Sequence, residues 1–170
     1  MARAQPVTTS VSKRLEASRQ ALMDAIAGLD EEGFRARPRP GEWTATEVLA
    51  HLLADEPKLL AYAQPALGAD DIAVEATPDE DREQQARDAA QRLPVPQILH
   101  GLLAARRDTM RLLEGLSAGE LARPVRHAAH GGTTVGRLFQ HMAEHEEAHA
   151  TQIRTIRAQT GRNRRDTSAL

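Results

Sequence analysis

The chain has 170 residues, 41% of them hydrophobic, with no cysteine and a formal charge of −2. That length supports one domain with a real core, and the near balance of charge gives no pull toward nucleic acid. The missing cysteine excludes disulfides, thiolate metal ligands and a sulfur nucleophile carried by the protein itself. Aromatic residues are confined to Phe34, Trp43, Tyr62 and Phe139, while helix-forming residues dominate, so the expected fold is all-α. Met1 to Thr9 lacks the apolar centre of a signal peptide, and no apolar run approaches the ~20 residues that span a bilayer. The expectation is a cytoplasmic protein without membrane or nucleic-acid partners.

In chain order, Thr9 or Ser10 can cap a first helix to about Gly28, with Val11, Leu15, Leu22 and Ile26 on its buried face. Asp30 to Trp43 contains Pro38, Pro40 and Gly41 and reads as a loop. Thr44-Ala45-Thr46-Glu47 is a capping box opening a second helix, which Pro57 should bend. From Gly68 to Pro96 the chain is acidic and fenced by prolines. It reads as a long crossover with a mobile start, in which Asp79 to Leu93 can form a short exposed helix. Pro96 suits the first turn of a third helix to about Leu116, with Ile98, Leu102, Ala105, Leu112 and Leu116 inward. Ser117 to Gly132 reads as irregular. A fourth helix starts at Thr133 or Thr134 and stops at Gly161, leaving 162–170 as a frayed tail. The whole, residues 1–170, is one four-helix-bundle domain with its crossover between helices 2 and 3.

The fourth helix carries the chemistry. His145, Glu146, Glu147, Ala148 and His149 read H-E-x-x-H, and Val135, Leu138, Met142, His145, His149, Gln152 and Ile156 follow the alternating three and four spacing of a bundle seam. Burying imidazole there is unfavourable unless each ring nitrogen has a partner, and two histidines one turn apart can reach one ion. His141 lies one turn earlier. At ~1.5 Å per residue the outer pair of the three stands about 12 Å apart, too far to share an ion, and His141 falls about 70° off the stripe, so periodicity selects His145 and His149. The alternative is that these rings are satisfied by Glu144, Glu146 or Glu147. His51, near the start of the second helix with Asp55 one turn later, is the best candidate for a third ligand, although helix geometry alone leaves it equally readable as solvent-facing. His127 and His130 lie in a Gly-rich loop, and His100 reads as structural.

Two segments, Pro40 to Leu52 (PGEWTATEVLAHL) and Leu138 to Ile153 (LFQHMAEHEEAHATQI), resemble the DinB/YfiT-like superfamily. The resemblance implies a four-helix bundle in which His51, His145 and His149 hold a divalent metal, with Trp43, Thr44, Glu56 and Gln152 also matching. In some relatives it implies transfer of a low-molecular-weight thiol of the bacillithiol or mycothiol type to an electrophilic small molecule; imidazole ligands suit zinc, nickel, copper and iron alike, and the expected ion is zinc or nickel. Metal-dependent hydrolysis and noncatalytic metal binding in a stress protein are the alternatives. Relatives of this type are often dimers, which together with wide apolar faces on the first and third helices suggests a homodimer.

Three neutral imidazoles leave an ion its full charge and an open position, which suits catalysis. Glu146, about 100° round the helix from His145, is a weak candidate for catalytic work and reads as a support to the ligands or as solvated. A zinc-protease reading of H-E-x-x-H fails on context, because no His or Glu follows His149 and no sheet is expected to bind a substrate strand.

Overall fold

The four periodic segments form helices that close into a ring, the first against the last, the last against the second, the second against the third and the third against the first. In the computed structural model, which describes residues 6–68, 72–74, 79–127 and 131–167, these are α1 (Pro6–Ile26), α3 (Ala45–Gly68), α5 (Val95–Gly115) and α7 (Val135–Thr167). Three shorter helices, α2 (Glu31–Arg35), α4 (Asp79–Arg92) and α6 (Ala118–Leu121), and three short strands, β1 (Ile72–Val74), β2 (Pro124–His127) and β3 (Gly131–Thr134), complete the described residues. The architecture is the expected four-helix bundle with additions.

Helix α1 begins at Pro6, so Thr9 and Ser10 lie inside it rather than at its cap; proline fits a first turn because its missing N–H would be unpaired there anyway. The expected loop after it holds α2, whose N-cap Asp30 accepts from the Gly33 amide at 2.7 Å. The capping box of α3 forms as read: the Glu47 amide donates to Thr44 Oγ1 at 3.2 Å, and the Thr44 amide donates to Glu47 Oε2 at 2.8 Å. Helix α3 continues through Pro57 to Gly68. Helix α5 approaches α3 at Gly101, where a Cβ would stand 2.7 Å from Leu53 Cδ1 and displace that methyl.

The crossover is more built than its composition suggested. Helix α4 is not merely exposed, because Ala86 is fully buried and Ala89 and Ala90 pack against the core, seating the helix on α3. Part of the expected mobile start, residues 69–71 and 75–78, lies outside the described residues. Strand β1 pairs in parallel with β2, Ile72 opposite Val125, and β2 pairs antiparallel with β3, Val125 opposite Thr133. Segment 117–132, read as irregular, therefore holds α6, with its own capping box between Ser117 and Glu120, as well as β2 and the start of β3. Helix α7 starts after Thr134, whose Oγ1 accepts from the Arg137 amide. It runs through Gly161 to Thr167, so neither the stop at Gly161 nor the tail from 162 holds as far as the described residues go. A glycine ends a helix when it takes a positive φ, and among the described glycines only Gly28 and Gly41 do.

The apolar core falls into two halves. Leu15, Leu113, Val135 and Phe139 lead one, and Leu22, Val48, Leu49, Ile98, Leu102 and Ile153 the other. On every long helix a polar step divides them: Ser18 and Arg19 on α1, Asp55 and Glu56 on α3, Arg106 and Thr109 on α5, Glu146 on α7, all buried. Arg106 and Thr109 thus occupy the inward line of α5, where Ala105 and Leu112 were expected and are only half-buried. The apolar faces of α1 and α5 are largely consumed by this core. Leu103 of α5, 49% exposed, is the exposed large hydrophobic side chain among the described residues. None of the described helices is long and apolar enough to cross a membrane.

Candidate metal centre

The buried face of α7 takes in Val135, Leu138, Met142 and Ile156 of the expected seam, and in its middle it runs through Phe139, Ala143, Glu146, Ala150 and Ile153 instead of the histidines. His145, His149 and Gln152 consequently stand at its half-buried edge rather than its centre. The shift follows from Glu146, whose carboxylate finds full partnership inside the bundle and so takes the central position. His51, 6% exposed, meets this edge from α3, which removes the solvent-facing reading.

The three rings converge. His51 Nε2 lies 3.3 Å from His145 Nε2, and His149 Nε2 lies 3.0 Å from the same atom; one ligand nitrogen from each ring falls within 4.8 Å of the others. Ligands at ~2.1 Å from a common ion stand about this far apart. Gln152 Oε1 accepts from His149 Nδ1 at 2.7 Å, which fixes the tautomer and turns the His149 Nε2 lone pair toward the cluster. Asp55 Oδ2 is 3.2 Å from His51 Nε2, with Lys58 Nζ 3.7 Å from its other oxygen. Trp43 walls the cluster, edge-on to His51 at 5.3 Å and stacked on His149 at 6.4 Å.

Electrostatics keeps these rings neutral. Burial, opposed by Asp55 and reinforced by His149, brings His51 down to about 4. Burial and then the neighbouring imidazoles His149 and His51 bring His145 down to about 3. Burial also lowers His149, against the pull of its bond to Gln152. Neutral rings with lone pairs aimed at one point are the donor set a divalent cation needs.

Among the described residues no other histidine belongs to the converging group. His141 stacks beside His145 at 6.3 Å between ring centroids and is not in the converging group. His100 is exposed on α5, the backbone of His127 pairs with Gly131 in the sheet, and His130 lies outside the described residues. Two of the acidic neighbours in the alternative turn elsewhere: Glu144 takes Arg14 at 3.4 Å and Arg137 at 2.9 Å, while Glu146 turns inward.

Behind the rings lies a buried ionic quartet that periodicity missed. Arg19 donates to Glu146 Oε1 at 2.6 Å and to Glu56 Oε2 at 2.7 Å; Arg106 donates to Glu56 Oε1 at 2.7 Å and to Glu146 Oε2 at 2.9 Å. Ser18 donates to Glu146 and Thr109 to Glu56, and the spare guanidinium donors reach the Leu102 and Leu15 carbonyls. Burial works against the Arg106 charge, but Glu56 and Glu146 outweigh it and raise its pKa. The signal available in the sequence was the break at one level in all four apolar stripes.

The profile of the DinB superfamily matches residues 14–153. The chain belongs to the DinB superfamily. Among solved structures it is similar to YfiT from Bacillus subtilis, described as a probable metal-dependent hydrolase with an unusual four-helix bundle topology, at 19% identity and a TM-score of 0.66 over 90% of this chain and 87% of that one. It is similar to a mycothiol-dependent maleylpyruvate isomerase at 13% identity and a TM-score of 0.71, covering 86% of this chain but 60% of that one. A four-helix bundle protein, TT2238, is 22% identical with a TM-score of 0.63, over 87% of this chain and 98% of that one. At these identities the likeness is one of fold. No curated protein matches the chain.

Proposed function

We propose that this DinB-superfamily protein holds one divalent ion, zinc or nickel, on His51, His145 and His149 and uses it to transfer a small-molecule thiol to an electrophilic substrate. The observation that carries the reading is the convergence of three ligand nitrogens within 4.8 Å, each on a ring that burial keeps neutral. Among the described residues the converging group consists of three histidines, and the reading takes the remaining position as open. A closed structural site would carry four. When bound, the ion supplies a Lewis-acidic centre at which a thiol loses its proton more readily.

This chain's residues do the rest. His145 and His149, one turn apart, fix one edge of the centre, and His51 fixes the other from α3. Gln152 holds the His149 ring in its tautomer. Asp55 Oδ2, beside His51, takes the thiol S–H proton. The sulfur lone pair then forms a C–S bond to the substrate, and the leaving group departs with the electron pair of the bond that breaks. The external thiol answers the absence of cysteine from the chain. Trp43 shields the centre from water on one side. Hydrolysis is the second reading, favoured by the same open position, which accepts water as readily as a thiol; noncatalytic metal binding is the third.

The test is thiol consumption by protein loaded with zinc or nickel, using a panel of low-molecular-weight thiols and electrophiles, alongside His149→Ala and His141→Ala. Turnover should vanish in His149→Ala and persist in His141→Ala. Unchanged turnover in metal-free His149→Ala rules out the metal mechanism, and hydrolysis by the parent without any thiol reaction replaces the transferase by a hydrolase.

A further inference from the structure

Glu146 sits in the second position of H-E-x-x-H, where sequence logic would offer a base for the metal centre, yet its carboxylate points away from the histidines and into the bundle. It is 2% exposed and completes a ring, Arg19 to Glu56 to Arg106 to Glu146 and back, that draws one member from each of the four long helices. The ring is neutral, two guanidinium groups against two carboxylates, and every carboxylate oxygen in it accepts at least one hydrogen bond. Its members adjoin the ligands in sequence: Glu146 follows His145, and Glu56 follows His51 by five residues. They adjoin them in space as well, since the void bounded by Asp55, Glu56, Arg106, His145 and Glu146 measures about 10 Å³. The quartet is packed directly behind the centre.

We propose that this quartet positions the metal centre by setting the register of α3 against α7, and that Glu146 serves there instead of as a base. The proposal rests on the metal reading above. Apolar stripes alone define helix register weakly, because a slipped Leu still meets apolar neighbours. A slip of one turn keeps each apolar stripe facing the core but moves a side chain by ~5.4 Å along the axis, enough to separate nitrogens that now stand 3.0 and 3.3 Å apart. In the quartet the same slip leaves buried charges unpaired, so the charged level resists a displacement that the two apolar halves tolerate. Such a layer contributes specificity more than stability, and well-packed apolar residues can replace one without unfolding a protein.

Two variants separate positioning from stability. In the first, all four members become apolar: Arg19→Met, Glu56→Leu, Arg106→Met and Glu146→Leu. In the second, Glu146→Gln is compared with Leu113→Ala, a cavity in the apolar half led by Leu15 and Phe139. Zinc affinity is read from Trp43, the single tryptophan of the chain, at a temperature where circular dichroism shows each protein folded. The parent is titrated first, and a parent that binds no zinc at the histidines overturns the metal reading and this one with it. With binding established, the proposal expects the fourfold variant, if helical, to lose at least tenfold in affinity. It also expects Glu146→Gln to lose at least fivefold while Leu113→Ala stays within twofold of the parent. Parental affinity in a helical fourfold variant overturns the positioning role alone. So does a loss in Glu146→Gln below fivefold, or one matched by Leu113→Ala, and this pair decides the matter if the fourfold variant does not fold.

Discussion

The quartet and the histidine cluster lie at the same level of the bundle and are both polar groups sunk among helices, but they are satisfied in opposite ways. In the quartet each charge faces an opposite charge, so it is complete without any partner from outside. In the cluster three like groups face one another, nitrogen to nitrogen. Gln152 already takes the His149 Nδ1 proton, and the protons that remain cannot satisfy every lone pair. A buried polar group that is complete is architecture; one that is incomplete and convergent is a binding site.

Breaking the quartet should produce the largest effect. Arg106→Ala leaves two buried carboxylates short of a cation, and such a deletion costs about 3–5 kcal/mol; urea unfolding measures it, and a cost under about 1 kcal/mol would mean the quartet is not desolvated as it stands here. The cluster should behave in the reverse way. His149→Ala should abolish tight zinc or nickel binding while leaving helical circular dichroism close to that of the metal-free parent, because an open site contributes little to folding.

Acid should sharpen the contrast. In the unfolded chain the histidines take up protons near 6.5, whereas in the folded metal-free protein His51 does so near 4 and His145 near 3. Between those values the unfolded state binds more protons, so this part of the stability is whole above about pH 6.5 and is lost as pH falls toward 4. Thermal unfolding of metal-free parent and of His51→Ala/His145→Ala across that window should show a shallower pH slope in the double variant. Equal slopes would contradict neutral burial of these rings. The smallest effect expected is Thr44→Ala, which removes one capping-box acceptor at the start of α3 and should cost about 1 kcal/mol in denaturant unfolding.

Much of this was legible in the chain. The capping box at Thr44 and Glu47, the apolar spacing of four long helices and the pairing of His145 with His149 depend on local periodicity, which a sequence displays directly. The partner from α3 did not, because the orientation of His51 is set by how α3 packs on α7; family resemblance supplied that residue and geometry alone did not. The inward turn of Glu146 was invisible for a similar reason. A carboxylate can occupy the centre of a seam only when cations from other helices meet it, and Arg19 and Arg106 lie 127 and 40 residues away. The ends of the seam, Val135, Leu138, Met142 and Ile156, are therefore buried as read, while its middle is centred on Glu146 rather than on the histidines. The sheet escaped notice because its three strands are three or four residues long, too short for alternation to show.

The most direct test of the metal centre is calorimetric titration of metal-stripped protein with zinc and with nickel, repeated on four single variants. One ion per chain should bind to the parent and to His141→Ala, and binding should be lost or weakened by at least a hundredfold in His51→Ala, His145→Ala and His149→Ala alike. Parental binding in any of those three, or loss of binding in His141→Ala alone, would contradict the assignment of the ion to the converging histidines.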